Sequence, residues 1–324
     1  MTDHNILEVQ NLKTHFMTRR GAVKAVNGIN FNLHHGECLC LVGESGCGKS
    51  VTALSILRLF ESPPGQIVQG SVNYSGKDLV KLPLPELRKI RGREIAMVFQ
   101  DAQSALNPVF TIGDQIVEQL GMHTLMDKAD ARKKALDLLK SMGIPDAERA
   151  FTSYPHQLSG GMRQRAMIAM SLSCGPHILI ADEPTTAVDV TIKAQILDLF
   201  QELKDRTQMS ILFITHDFGV VAQIGERAVI VYAGENIETG TVSEIINHAA
   251  HPYTVSLLSC LPDLRGSGSL YYIPGSPPNP LSLPAGCTFH PRCEHVMSIC
   301  KEQKPVAVEV SPGHNVSCHL FRKA

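Results

Sequence analysis

The sequence lacks net charge: 30 Lys and Arg stand against 31 Asp and Glu, leaving a formal charge of -1 over 324 residues. No global positive field is available to attract nucleic acid or an anionic membrane surface, so nucleic acid is not an expected partner. Also missing is any apolar run approaching the roughly 18 residues of a membrane span. The opening residues, MTDHNILEVQ, have no basic stretch followed by an apolar one, and a soluble cytosolic chain is expected. Long repeats are absent too. The one low-complexity tract is PDLRGSGSLYYIPGSPPNPLSLPAG, starting near 262. Rich in Pro, Gly and Ser, it cannot continue a helix and should be an extended linker.

What is present suits one large α/β domain with something smaller, since 44% of residues are apolar. ILEVQNLKTHF and GINFNL alternate like half-buried antiparallel strands. ECLCLV, EIAMVF, HILIAD, SILFITH and RAVIVYAG are short apolar runs, the pattern of buried strands. KSVTALSILRLF and TIKAQILDLFQELKDR have helical spacing, and the alternation predicts a mainly parallel sheet. Residues 101–175 show no strand signal and several amphipathic helices, among them KADARKKALDLLKSMG. The expected organisation is therefore a core from 1–100 and 176–261 carrying an N-terminal antiparallel part, a helical insertion at 101–175, and a linker with a cysteine-bearing tail at 262–324.

GESGCGKS, from Gly43 to Ser50, fits the phosphate-loop pattern G-x4-G-K-[ST] between a strand and a helix. Gly43, Ser45, Gly46, Cys47 and Gly48 let backbone N–H groups turn toward a triphosphate, and the helix that follows, through Val51, adds its positive dipole end. Lys49 reaches the outer phosphates and the Ser50 hydroxyl ligates Mg²⁺. HILIADEP ends a strand in two carboxylates: Asp182 suits the Mg²⁺ shell and Glu183 suits activation of water. LSGGMRQR opens a helix with Ser159, Gly160 and Gly161, presenting a hydroxyl and bare amides at another positive helix end.

In this order, with Gln100 in MVFQD, Asp189 ending TTAVD and His216 in ITHD, the sequence resembles the ATP-binding cassette (ABC) family over roughly residues 5–260. Met162 where glutamine is commonest and Val188 where leucine is usual are small departures. The resemblance implies a nucleotide-binding domain with a mainly parallel sheet, an antiparallel β subdomain and a helical subdomain. Two such domains sandwich two ATP molecules head to tail, so Lys49 and Ser50 of one chain meet the partner's Ser159 and Gly161. It further implies Glu183 as general base, His216 holding the γ-phosphate and water, Gln100 contacting Mg²⁺ and water, and Asp189 coupling the two sites. Phe16 would either stack on adenine or serve as an ordinary core aromatic.

HPYTVSLLSCLPD, IPGSPPNP, GCTFHPRC and SALNP are similar to the dipeptide, oligopeptide and nickel importer branch of that family. The branch implies a peripheral subunit on the cytoplasmic face of the membrane. Its partners would be a second ATPase subunit, two transmembrane permease subunits and an external solute-binding protein. Peptide is the expected solute class, with nickel or another small solute as the alternative within the branch. A soluble ABC ATPase without a membrane partner is the reading from a different class.

Nine cysteines in a chain with its own core do not read as a disulfide framework. Cys38, Cys40, Cys47, Cys174 and Cys260 are scattered and read as packing. Cys287, Cys293, Cys300 and Cys318 crowd a tail that looks too small for a core of its own, which suggests a metal staple. Zinc and a four-iron four-sulfur cluster both accept four cysteines, and resemblance to the branch favours the cluster. His290, His295, His314 and His319 are near enough in sequence to replace a ligand.

Overall fold

A computed structural model describes residues 5–186, 189–260 and 272–322. Val188 and the linker stretch 262–271 lie outside them. Contacts divide the chain into two compact units, one comprising His34–Glu37 and Leu82–Ile214, the other Asn5–Leu33, Cys38–Lys81 and the chain from Thr215 on.

The latter unit begins with β1 (Asn5–Thr18) and β2 (Gly21–His34), which bury Leu7, Val9 and Leu12 on one and Val26, Ile29, Phe31 and Leu33 on the other. The step from Val9 to Leu12 breaks strict alternation. A bulge explains it: the register shifts between Gln10 and Lys13, and Asn11 adopts φ 46°. β3 (Cys38–Val42) is buried at every position and leads through the glycine loop into α1 (Lys49–Ile56). That helix is shorter than KSVTALSILRLF predicts, because Arg58 turns left-handed (φ 52°) and the Leu59 N–H returns to the Leu54 carbonyl, closing the last turn. β4 (Gly65–Tyr74) pairs antiparallel with β1, from Leu7 opposite Tyr74 to Phe16 opposite Gly65. With β5 (Lys77–Asp78) the order is β2-β1-β4-β5.

In the other unit, α2 (Leu84–Ile90) precedes β6 (Ile95–Val98). Among the described residues, helices and no strand follow before β7: α3 (Ala102–Ala105), α4 (Ile112–His123), α5 (Lys128–Ser141), α6 (Ala147–Thr152) and α7 (Gly160–Leu172). Thr111, Asp127, Asp146 and Ser159 each cap a helix start with a side-chain oxygen. α5 buries Ala131, Ala135, Leu136 and Leu139, one stripe at helical spacing. β7 (Ile178–Asp182), α8 (Val190–Thr207) and β8 (Ser210–Thr215) complete the unit. β6, β7 and β8 run parallel, Ile95 beside Ile178 and Ile178 beside Ser210. They are buried throughout, as parallel strands covered on both faces must be.

The unit that holds β1 to β5 resumes with α9 (Phe218–Ile224), β9 (Arg227–Tyr232) and β10 (Glu235–Thr241). β9 lies parallel to β3. It joins β10 in a hairpin whose two turn residues, Ala233 and Gly234, both have positive φ. α10 (Val242–Asn247) and α11 (Pro252–Ser259) lead to the linker, and beyond it come α12 (Ser298–Glu302), β11 (Val308–Ser311) and β12 (His314–Val316). β12 pairs antiparallel with β10, Val316 opposite Glu238, giving the order β11-β12-β10-β9-β3 within this unit. The cysteine-bearing tail, expected to have no core of its own, packs into the core of its unit. Phe289 and Val316 are fully buried, and the Phe289 ring lies 5.2 Å from Tyr232 and 5.3 Å from Tyr253.

Candidate functional site

The residues singled out by sequence fall into both units. The phosphate-loop group belongs with β3 and α1. Lys49 is buried and its Nζ donates to the carbonyls of Gly43 (2.8 Å) and Glu44 (3.0 Å), so the ammonium is folded back over its own loop. Gly46 (φ 79°) and Gly48 (φ 105°) hold conformations that suit glycine. A Cβ on Gly48 would sit 2.3 Å from the Ala25 carbonyl, so the loop is packed against β2. The Cys47 N–H returns to the Glu44 carbonyl and its own carbonyl accepts from Gly234. Burial pushes the Cys47 thiol pKa up, which favours the protonated thiol. Phe16, at the far end of β1, is half-buried, its ring edge-on to Phe60 at 5.9 Å.

The carboxylate group belongs with β7. Asp182 closes the strand, paired with Ile214, and is buried. Glu183 follows in a left-handed conformation (φ 44°) with its N–H on the Ile214 carbonyl. A non-glycine residue held there is strained, and the surrounding fold must hold it in place. Gln100 Nε2 donates to Glu183 Oε2 at 3.1 Å, and Thr186 Oγ1 donates to the same oxygen at 3.0 Å. Sequence reading named Gln100 and missed Thr186. It also missed Gln164, whose amide donates to the Pro184 carbonyl at 2.8 Å and braces the turn after Glu183.

Ser159 caps α7, its hydroxyl accepting the Met162 N–H at 3.3 Å. Gly160 is exposed, and a Cβ there would meet nothing within 4 Å. Asp189 caps α8 by accepting from Ile192 N–H at 2.9 Å. His216 is exposed between β8 and α9. Asp217 next to it is fixed by the Thr215 hydroxyl and caps α9 through Gly219.

Cys287, Cys293, Cys300 and Cys318 line one small cavity with His251 and Phe289. His290, His295 and His319 line it too, whereas His314 does not. His314 is taken by Glu238 at 2.7 Å, and that correction removes it from the possible ligands. Burial lifts the thiol of Cys287 to about 11 and raises those of Cys293 and Cys318. Among the described residues no three His, Cys, Asp or Glu side chains are grouped so as to hold one metal ion.

A family model described as ABC transporter matches residues 26–186, and one described as the oligopeptide/dipeptide transporter C-terminal region matches residues 237–300. The chain is 48% identical over 316 residues to the dipeptide transport ATP-binding protein DppD of Bacillus subtilis (strain 168), covering 97% of this chain and 94% of that one. It is 47% identical over 315 residues to a probable peptide ABC transporter ATP-binding protein, y4tR, of Sinorhizobium fredii, again covering 97% and 94%. Among solved structures, a dimeric ATP-binding cassette, MJ0796, in a post-hydrolysis state bound to ADP and Pi, aligns with TM-score 0.66 at 29% identity, over 73% of this chain and 98% of that chain.

Proposed function

The chain belongs to the ABC transporter family and is an ATP-hydrolysing transporter subunit, and on that premise we propose that it powers uptake of di- and oligopeptides from the cytoplasmic face of the membrane. The observation carrying this reading is that the match does not stop with the nucleotide-binding part. It continues through residues 237–300 into the extension, which relatives named for dipeptide and oligopeptide transport share. Two transmembrane permeases, a second ATPase subunit and an external solute-binding protein are the partners of this reading. Residues 1–100 with 176–261 serve as the nucleotide-binding core, 101–175 as the helical module and 262–324 as the appended tail.

In this reading Lys49 exchanges the carbonyls of Gly43 and Glu44 for the outer phosphate oxygens, while the amides of Ser45 to Val51 take the inner ones. Ser50, Gln100 and Asp182 would hold Mg²⁺, which neutralises charge on the phosphates when bound. Glu183, aimed by Gln100 and Thr186, takes a proton from water as the water oxygen bonds to the γ-phosphorus. The bond from that phosphorus to the ADP oxygen breaks, and inorganic phosphate leaves. His216 holds the γ-phosphate and the water in line. Ser159, Gly160 and Gly161 complete the partner chain's site, and Asp189 couples the two sites. Phe16, braced by Phe60, stacks on adenine.

We propose further that the tail cysteines hold a four-iron four-sulfur cluster, with zinc as the alternative. What supports this reading is that all four line one cavity. His251 adds a suitable donor. Its Nδ1 accepts the Tyr253 N–H, so Nε2 carries the proton, and Nε2 is buried without a hydrogen-bond partner among the described residues. Cys287, Cys293, Cys300 and Cys318 would hold the cluster, which supplies folding energy to the tail and takes no part in hydrolysis.

The test is uptake in vesicles reconstituted with the permeases and the solute-binding protein. ATP-dependent entry of labelled dipeptide, lost in Glu183→Gln, is the expected result. Entry of nickel without peptide would overturn the assignment of solute class.

A further inference from the structure

The phosphate loop contains two charged side chains, Glu44 and Lys49, and they cancel. A loop that must hold a polyanion therefore carries no net charge of its own, and a carboxylate within it opposes the ligand. The structure supplies a third charge from far along the chain. Arg292, in the cysteine-bearing tail, donates to Glu44 through both terminal nitrogens, Nη1 to Oε2 at 2.7 Å and Nη2 to Oε1 at 3.1 Å. This forked geometry is the strongest arginine–carboxylate arrangement.

Arg292 is itself firmly seated. Its side chain is 4% exposed. Nε donates to the Pro274 carbonyl at 2.9 Å, Nη1 also donates to the Tyr232 hydroxyl at 3.3 Å, and the guanidinium lies 5.8 Å from the Tyr232 ring centre and 5.9 Å from that of Phe289. Glu44 is equally constrained. Its N–H donates to the Tyr253 hydroxyl at 2.9 Å, and its carbonyl accepts from Lys49 and from Cys47. Glu44 also lines a cavity of about 130 Å³ together with Ser45, Gly46 and Cys47, so the residue borders space next to the loop.

We propose that Arg292 is a positioning residue for nucleotide binding: it neutralises Glu44 and draws the carboxylate aside, so that the loop presents the net positive charge of Lys49 to a triphosphate. The inference rests on the ATP-binding reading above. It makes the tail a contributor to nucleotide affinity through a side chain that need not touch nucleotide.

The experiment measures affinity of the full-length chain for a fluorescent ATP analogue, with urea unfolding of each variant as a check on folding. Arg292→Ala is expected to weaken binding about tenfold, the loss of a charged forked pair. Adding Glu44→Gln to it should restore most of the affinity. A purely structural role would not give this, since the double variant restores no contact. Glu44→Gln alone should bind as tightly as wild type or up to about threefold tighter, because the positive charge of Arg292 is then no longer cancelled beside the loop. Wild-type affinity in folded Arg292→Ala, or no rescue by Glu44→Gln, overturns the proposal. If Arg292→Ala does not fold, Glu44→Gln alone decides, and clearly weaker binding in it overturns the proposal. No binding by wild type would sink the ATP reading itself.

Discussion

Replacing His314 by alanine tests how the tail is held. His314 Nε2 lies 2.7 Å from Glu238 Oε1, with the two side chains 2% and 0% exposed, and Nδ1 lies 3.5 Å from Glu244. Removing one member of a buried pair of this kind costs about 3–5 kcal/mol, since the other is left buried without its partner. Glu238 keeps the N–H groups of Ala250 (2.6 Å) and His251 (3.0 Å), so the low end applies, about 3 kcal/mol. The loss falls on the β10–β12 ladder, where Glu238 faces Val316 and Thr239 faces Asn315. It should lower the free energy of local opening there, not only that of global unfolding. Native-state hydrogen exchange reads this directly. At about 1.4 kcal/mol per tenfold, ladder amides of β10 and β12 should exchange about 100-fold faster. Exchange in the β10–β12 ladder within about threefold of wild type would refute the argument that this pair docks the tail.

Glu183→Gln should bind ATP normally and lose turnover by about 10²–10⁴-fold, the usual contribution of a general base; turnover near wild type in the assembled complex removes Glu183 from that role. Gly48→Ala places a Cβ 2.3 Å from the Ala25 carbonyl at φ 105° and should abolish nucleotide binding, checked by equilibrium dialysis; retained affinity would mean the loop yields easily. Tyr253→Phe leaves the Glu44 N–H without its acceptor and should cost about 1–3 kcal/mol in urea unfolding, a cost that an unchanged midpoint would rule out. Protein purified without oxygen should contain about four irons and four sulfides per chain, and Cys300→Ser should lower both together with the melting temperature of the tail. One zinc and no sulfide would replace the cluster with a single-ion clasp.

The nucleotide-binding part was legible because its signals are local. β3, β6, β7, β8 and β9 are continuous apolar runs, and a parallel strand buried on both faces can hardly look otherwise. The phosphate loop and the Asp182–Glu183 pair announce themselves by spacing. The roles of Arg292 and Tyr253 were not legible, since each acts on Glu44 across more than 200 residues, and no periodicity encodes such a pairing. The strands of the tail were missed for a different reason. VAVEVSPGHNV carries a hairpin signal, alternating valines beside a Pro-Gly turn, but it is short and lies among closely spaced cysteines. His314 was offered as a ligand because sequence proximity to cysteines says nothing about which way a strand faces.

The hairpin of β11 and β12 occupies the outer side of β10, a place where a strand would otherwise present a row of unpaired N–H and C=O groups. Such rims are adhesive, and proteins blunt them with short or charged border strands. β11 meets that description: it is four residues long and carries an exposed Glu309. Cutting the tail away would therefore bare the flank of β10 to the next molecule. A chain shortened before the hairpin should still bind nucleotide when dilute and should clump as its concentration rises. The tail then acts as a hem on the sheet, keeping copies of the protein from stitching to one another.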